Sequence, residues 1–208
     1  MARGETVSDK RKPSAIKRST GFILRLFVWV SVILTVLLTV GPFCVKLALP
    51  ALSRSIEILG SDYEILESAS AHNGKETVIR FKVRINREAV DPQGNVWPAS
   101  IATVGVSPFL LYLYPAIVLS LIAAWPRITV KRRLQAGLIA LPLIVLAIIL
   151  DIPFHVAYYL ERSYGCETVG AHLRVYWYHF LNTGGRQFLA LAVFLVSMVV
   201  RPGKYKVS

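Results

Sequence analysis

The chain has 208 residues, enough for one domain, and 54% of it is apolar against 17% charged, where a soluble domain would carry about 25% charged residues. A net charge of +12 raises nucleic acid as a partner, but the basic residues gather where apolar runs end. They form no face interleaved with aromatics, which excludes a nucleic-acid groove and matches the charge pattern that orients membrane helices.

The apolar excess falls in uncharged runs. The expected fold class is therefore an α-helical integral membrane protein with about four transmembrane helices and a small extracytoplasmic β-hairpin segment. Residues 1–20 form a basic cytoplasmic tail carrying Arg3, Lys10, Arg11, Lys12, Lys17 and Arg18. Residues 21–45 are the first span. The run between Arg25 and Lys46 is uncharged and covers about 30 Å as a helix. It exceeds the h-region of a signal peptide, and no small-x-small site follows, so it reads as a retained anchor.

Residues 46–105 are expected outside, with seven basic and seven acidic residues. Leu47–Leu59 has the pattern of an interfacial amphipathic helix. Ile79, Phe81, Val83 and Ile85 then alternate with Arg80, Lys82 and Arg84, the period of a strand. Asn73-Gly74 suits a tight turn, which pairs Glu67 with Arg80 and Leu66 with Phe81. Asp91-Pro92-Gln93-Gly94 is a second turn, followed by a weak strand at Asn95–Trp97. The stripe Ile79, Phe81, Val83 and Ile85 is too apolar for two strands to hide. It must pack on the juxtamembrane segment or on a partner, and these four residues are the candidate partner-binding set.

Residues 106–125 form the second span and 126–133 a basic cytoplasmic loop with Arg127, Lys131, Arg132 and Arg133. Residues 134–152 are the third span, closing on Asp151. Residues 153–181 form an outer loop dense in aromatics, which reads as an interfacial belt or a recognition platform. The fourth span is 182–200. The uncharged run Gln187–Val200 is too short alone, so the span starts near Asn182 with Arg186 snorkelling outward. Residues 201–208 form a cytoplasmic tail. With four spans the basic segments share one side, so both termini are cytoplasmic.

Asp151 and His155 share a helix face four residues apart. With His172 they could hold copper or zinc, although a hydrogen-bonded interfacial pair is the favoured reading and no cofactor is expected. Cys44 and Cys166 both fall on the outer side, where a disulfide and two free thiols are equally open. Cys166, His172 or His179, and Arg174 contain the groups of a Cys-His-Arg transpeptidase, yet no local signature supports such an enzyme. No charged groups recur at mid-depth, which argues against a pump.

The order of parts is a basic N-terminus, an anchor, a short β-rich loop, the run Gly105-Val106-Ser107-Pro108-Phe109-Leu110-Leu111-Tyr112-Leu113-Tyr114-Pro115, an Arg-rich turn and a span ending in Asp. This architecture resembles the small membrane proteins associated with exosortase systems, especially those called exosortase H-associated. The resemblance implies an accessory protein of the bacterial inner membrane working beside a sorting transpeptidase. The expected function is a non-catalytic accessory or assembly subunit whose partners are membrane lipids and another integral membrane protein. The alternative is a metal-binding or Cys/His-dependent enzyme subunit using Asp151, His155 and His172.

Overall fold

The computed structural model describes residues 15–59, 62–73, 76–86, 89–90, 96–97, 100–126, 128–164 and 171–200. The elements run α1 (Ala15–Leu59), β1 (Tyr63–Asn73), β2 (Glu76–Ile85), β3 (Ala89–Val90), β4 (Val96–Trp97), β5 (Ser100–Val106), α2 (Phe109–Ala124), α3 (Val130–Tyr164), α4 (Ala171–Phe180), a π-helical turn (Leu181–Gly185) and α5 (Arg186–Val199). Among the described residues three helical stretches are long and apolar enough to cross a membrane: 20–59, 130–163, and 172–199, which joins α4 to α5 through the π turn. The apolar α2 has 16 residues, about 24 Å of helix.

The first span and the expected interfacial helix are one continuous α1 of 45 residues. Pro42 and Pro50 lie inside it. Each removes one backbone donor, a loss that packed neighbours can absorb. Beyond Gly41 the helix turns amphipathic. Val45, Leu49, Leu52 and Ile56 follow at helical spacing and are all buried. At Gly41 itself α2 passes close: a Cβ there would lie 2.4 Å from the Tyr112 hydroxyl oxygen.

The apolar stripe of α1 lies under a three-stranded antiparallel sheet of order β1-β2-β5. Ile79, Phe81, Val83 and Ile85 point inward and are between 0% and 2% exposed. Alternation puts Arg80, Lys82 and Arg84 on the open face. The core beneath contains the α1 stripe together with Ile152, Val156, Ala157 and Leu160 of α3. The stripe proposed for partner binding is thus covered by this chain's own helices, and the four residues are corrected from binding surface to core. The reason is geometric. α1 and α3 run past the expected membrane boundary and supply the apolar surface that two strands lack.

The hairpin forms with a different register. The strands pair down to Asn73↔Glu76, with Ser68 opposite Phe81 and Ala69 opposite Arg80, so β1 is offset by two residues from the expected pairing of Glu67 with Arg80. A shift between Ile65 and Glu67 leaves Leu66 as an extra residue on β1, the mark of a β-bulge. The third strand is β5, paired with β2 from Ile79↔Val106 to Ile85↔Ser100. It occupies residues expected to lead into the second span. The weak strand at Val96–Trp97 pairs only with β3 in a separate two-stranded ribbon.

A second core joins α2, α3 and α5 through Tyr114, Val118, Ile122, Ala140, Ile144 and Phe194. Small residues, Ala136, Ala140, Ala147 and Ala190, are buried in it and let the helices approach closely. Phe22 packs on Trp125 at 6.0 Å, and Trp125 on Phe194 at 5.2 Å. Arg132 Nη2 donates to the Met198 carbonyl at 3.1 Å. These contacts gather the start of α1, the end of α2, the start of α3 and the end of α5 at one pole. The sheet occupies the other.

Because Phe81 is completely buried, Phe81→Ala should cost about 3–5 kcal/mol. The expected result is a lower midpoint in thermal unfolding of the detergent-purified protein and reduced abundance in cells. Unchanged stability would show that the sheet is not packed on α1 and α3.

Candidate functional site

The most buried charge lies where α2, α3 and α5 meet. Asp151 is 0% exposed and receives two hydrogen bonds from Arg186, Nε to Oδ2 at 2.7 Å and Nη2 to Oδ1 at 2.9 Å. This is the bidentate geometry that makes an Arg–carboxylate pair strong and directional. The Tyr114 hydroxyl donates to the same Oδ2 at 3.0 Å. Arg186 Nη1 donates to Asn182 Oδ1 at 2.8 Å. The pair is thereby hydrogen-bonded on both sides, which a buried charge requires. Arg186 is not snorkelling outward as expected. It is drawn inward because a carboxylate stands opposite it.

The path of the chain before Arg186 makes this possible. The π turn contains Gly184 at φ 117°, with Thr183 also outside helical geometry. Only glycine adopts that φ readily. The kink frees carbonyls of α4, and local side chains answer them. Asn182 Nδ2 donates to the Tyr178 carbonyl at 3.0 Å and Thr183 Oγ1 to that of His179 at 2.9 Å. Gly185 is buried, and a Cβ there would lie 2.6 Å from the Phe180 ring. The two glycines let α4 and α5 join at an offset that aims Arg186 at α3.

A second buried ion pair ties the same elements nearer the sheet. Arg174 on α4 pairs with Glu161 on α3, and its Nη1 donates to the Leu59 carbonyl at 3.4 Å. Arg174 thus also satisfies the end of α1, where helix carbonyls lack internal partners. Between the two pairs the Trp177 indole donates to the Leu150 carbonyl at 2.8 Å, in the turn that Pro153 disturbs.

The expected aromatic loop is mostly helix. α3 runs on to Tyr164, and α4 brings its rings back against it. Tyr158 and Tyr178 stack at 3.8 Å with an interplanar angle of 10°. His155 lies between Tyr159 and Tyr178 at 4.9 and 5.2 Å, and its Nδ1 is buried without a hydrogen-bond partner.

This geometry decides the candidates. Asp151 and His155 do sit on one helix, but both carboxylate oxygens of Asp151 are taken by Arg186 and Tyr114, so the carboxylate is not held open for copper or zinc. His172 is exposed on α4. Among the described residues no group of three His, Cys, Asp or Glu side chains is placed to hold a metal ion. Cys44 is exposed on α1. Cys166 lies outside the described residues, as does the Cys44–Cys166 pairing. His179 faces the tyrosines, 6.2 Å from Tyr158, and Arg174 is engaged by Glu161 and the end of α1.

Sequence reasoning missed Tyr114, Glu161, Arg174 and Asn182 as partners. A signal was present. Asp151 and Glu161 precede Arg174 and Arg186 in nested order, the arrangement that an antiparallel helical hairpin needs to pair both. No family model, curated protein or solved structure matches this chain.

The pair predicts a particular pattern. Asp151→Asn or Arg186→Gln alone should each cost about 3–5 kcal/mol, because the remaining charge stays buried. Asp151→Leu with Arg186→Met should recover much of that loss. Unfolding of the wild type and the three variants in one detergent checks it, and equal losses in the single and double variants would contradict it. Gly184→Ala should cost at least about 1 kcal/mol through backbone strain, read in the same assay.

Proposed function

We propose that the chain is a four-pass, non-catalytic accessory subunit of the bacterial inner membrane that holds another integral membrane protein along α1. Four-pass placement is supported by three long apolar helices and the shorter α2. α2 falls a few ångströms short of a 30 Å hydrocarbon layer, a mismatch met by tilt, local thinning or the interfacial Trp125. Arg25, Lys131, Arg132 and Arg133 gather at one pole, which the positive-inside rule assigns to the cytoplasm. The sheet then lies outside, with both termini inside. Asp151 falls 21 residues into α3, about 32 Å along it, and so lies near the outer boundary rather than at mid-membrane.

The observation that carries the partner reading is the condition of α1. None of its most apolar 18-residue window is buried within the chain, whereas about a third of the corresponding windows in the other two long stretches is buried. Lipid alone would accept that surface, since acyl chains are as apolar as leucine. The same exposed helix, however, carries Ser31, Thr35 and Thr39 at four-residue spacing. Their hydroxyls donate to the Phe27, Ser31 and Thr35 carbonyls at 3.0, 2.8 and 3.2 Å. Small side chains with satisfied hydroxyls in such a row permit close approach of a second helix. α1 continues without interruption under the sheet, so one rigid element would link a partner in the membrane to the outer domain. The resemblance in order of parts directs the proposal to an exosortase-type sorting transpeptidase as that partner.

Two measurements test this. Cysteines placed at Ser14 and Val207 should resist an impermeant thiol reagent in spheroplasts, while one at Asn73 should react. Labelling of Val207 from outside would refute the four-pass arrangement. Purification in mild detergent should bring down a stoichiometric integral membrane protein. Thr35→Leu with Thr39→Leu should abolish that capture at normal abundance. Capture that survives this double change removes α1 as the docking helix, and a solitary chain at every stage removes the accessory reading.

A further inference from the structure

At the basic pole α1, α2 and α3 do not close on one another. They leave an open apolar groove of about 560 Å³, lined by Trp29, Ile33, Ile122, Gly137 and Leu138 among others, with Arg133 at its rim. Gly137 is part of why the groove exists: a Cβ built there meets no atom within 4 Å. Glycine inside a helix costs roughly 0.5–1 kcal/mol relative to alanine, and here no packing neighbour offsets it.

The rim is cationic, with no carboxylate beside it among the described residues. Arg133 Nη2 donates to the Trp125 carbonyl at 3.1 Å, but its Nε is buried with no hydrogen-bond partner. Lys131 and Arg132 are exposed beside it, and Arg132 also reaches the Met198 carbonyl. The sequence has no Asp or Glu between Asp9 and Glu57, between Asp91 and Asp151, or after Glu167. Hence α1 up to its last turn, all of α2, the first 21 residues of α3 and all of α5 carry no carboxylate. A cationic rim without acidic neighbours among the described residues, continuous with an apolar trough, is complementary to a molecule with an anionic head and a long apolar tail.

We propose that this groove is a specific binding site for one anionic glycerophospholipid, its acyl chain along Gly137 and Trp29 and its phosphate on Arg133. The site rests on the membrane placement above but is independent of the accessory role. The lipid phosphate supplies the counter-charge that no described residue gives Arg133, and the acyl chain fills the space that three helices leave open.

The test uses the full chain purified in mild detergent and stripped of lipid, offered phosphatidylglycerol or phosphatidylcholine and read by native mass spectrometry. One phosphatidylglycerol should be retained per chain, roughly tenfold in preference to phosphatidylcholine, whose choline cation offsets its phosphate's charge and is repelled by the cationic rim. Arg133→Gln should erase the preference. Gly137→Phe, whose side chain enters open space, should block retention of both lipids. Phosphatidylglycerol with a brominated acyl chain should quench tryptophan fluorescence in the wild type and less in Trp29→Phe, a readout independent of how Gly137→Phe folds. Equal retention of both lipids by the wild type, undiminished retention in Gly137→Phe, or quenching unaltered by Trp29→Phe would each overturn the site. A chain recovered without membranes on cell fractionation would instead refute the membrane placement, a result separate from these.

Discussion

A carboxylate with no solvent exposure has to be neutralised where it stands, and that requirement organises this molecule. Asp151 sits in the middle of α3 among apolar residues, and the one guanidinium that reaches it comes from the far side of a helical hairpin. The bidentate contact forms only if α4 and α5 return along α3 in one register, with the π turn placed to direct Arg186 inward. Tyr114 adds α2 to the same oxygen. Of the four interacting groups, two lie on separate helices and two flank the kink, so displacement of any one leaves a buried charge short of partners. The Glu161–Arg174 pair repeats the constraint nearer the sheet and extends it to the end of α1.

Once α3 is fixed, its second half has a defined face to offer. Ile152, Val156 and Leu160 follow Asp151 at helical spacing and enter the core beneath the sheet. The sheet therefore rests on a platform that the ion pairs hold in place. This explains why a three-stranded sheet, marginal by itself, can bury Phe81 completely. It also explains why α1 and α3, with 45 and 35 residues, exceed the length that a membrane crossing needs. Their extra turns are the floor on which the sheet packs.

The two poles differ in charge. At the sheet pole acids and bases are matched, by Glu64 with Arg84 at 3.0 Å on the sheet and by Glu161 with Arg174 within the helices. At the basic pole the described helices carry only cations. Such a surface is stable beside anionic groups supplied from outside, and the helices leave an open apolar groove on that side. Electrostatics and packing thus differ between the poles: matched charges over a closed core at the sheet, cations beside an open groove at the basic end.

Much of this was written in the sequence. Runs without charge marked the long helices, and Ile79, Phe81, Val83 and Ile85 marked a strand with one buried face, because periodicity is a local property of the chain. The basic clusters marked one pole for the same reason. The sequence also showed that the apolar stripe needed a cover. It did not show what the cover was, since α1 and α3 reach the stripe only through contacts distant along the chain. The hairpin register likewise depended on β5 and on a bulge at Leu66, neither visible in a turn dipeptide. The sharpest divergence was at Asp151 and Arg186. Read singly, one resembled a ligand and the other a snorkelling cation, because each side chain alone would seek water or metal. The fold brought them within 2.7 Å of each other, and each then became the other's solvent.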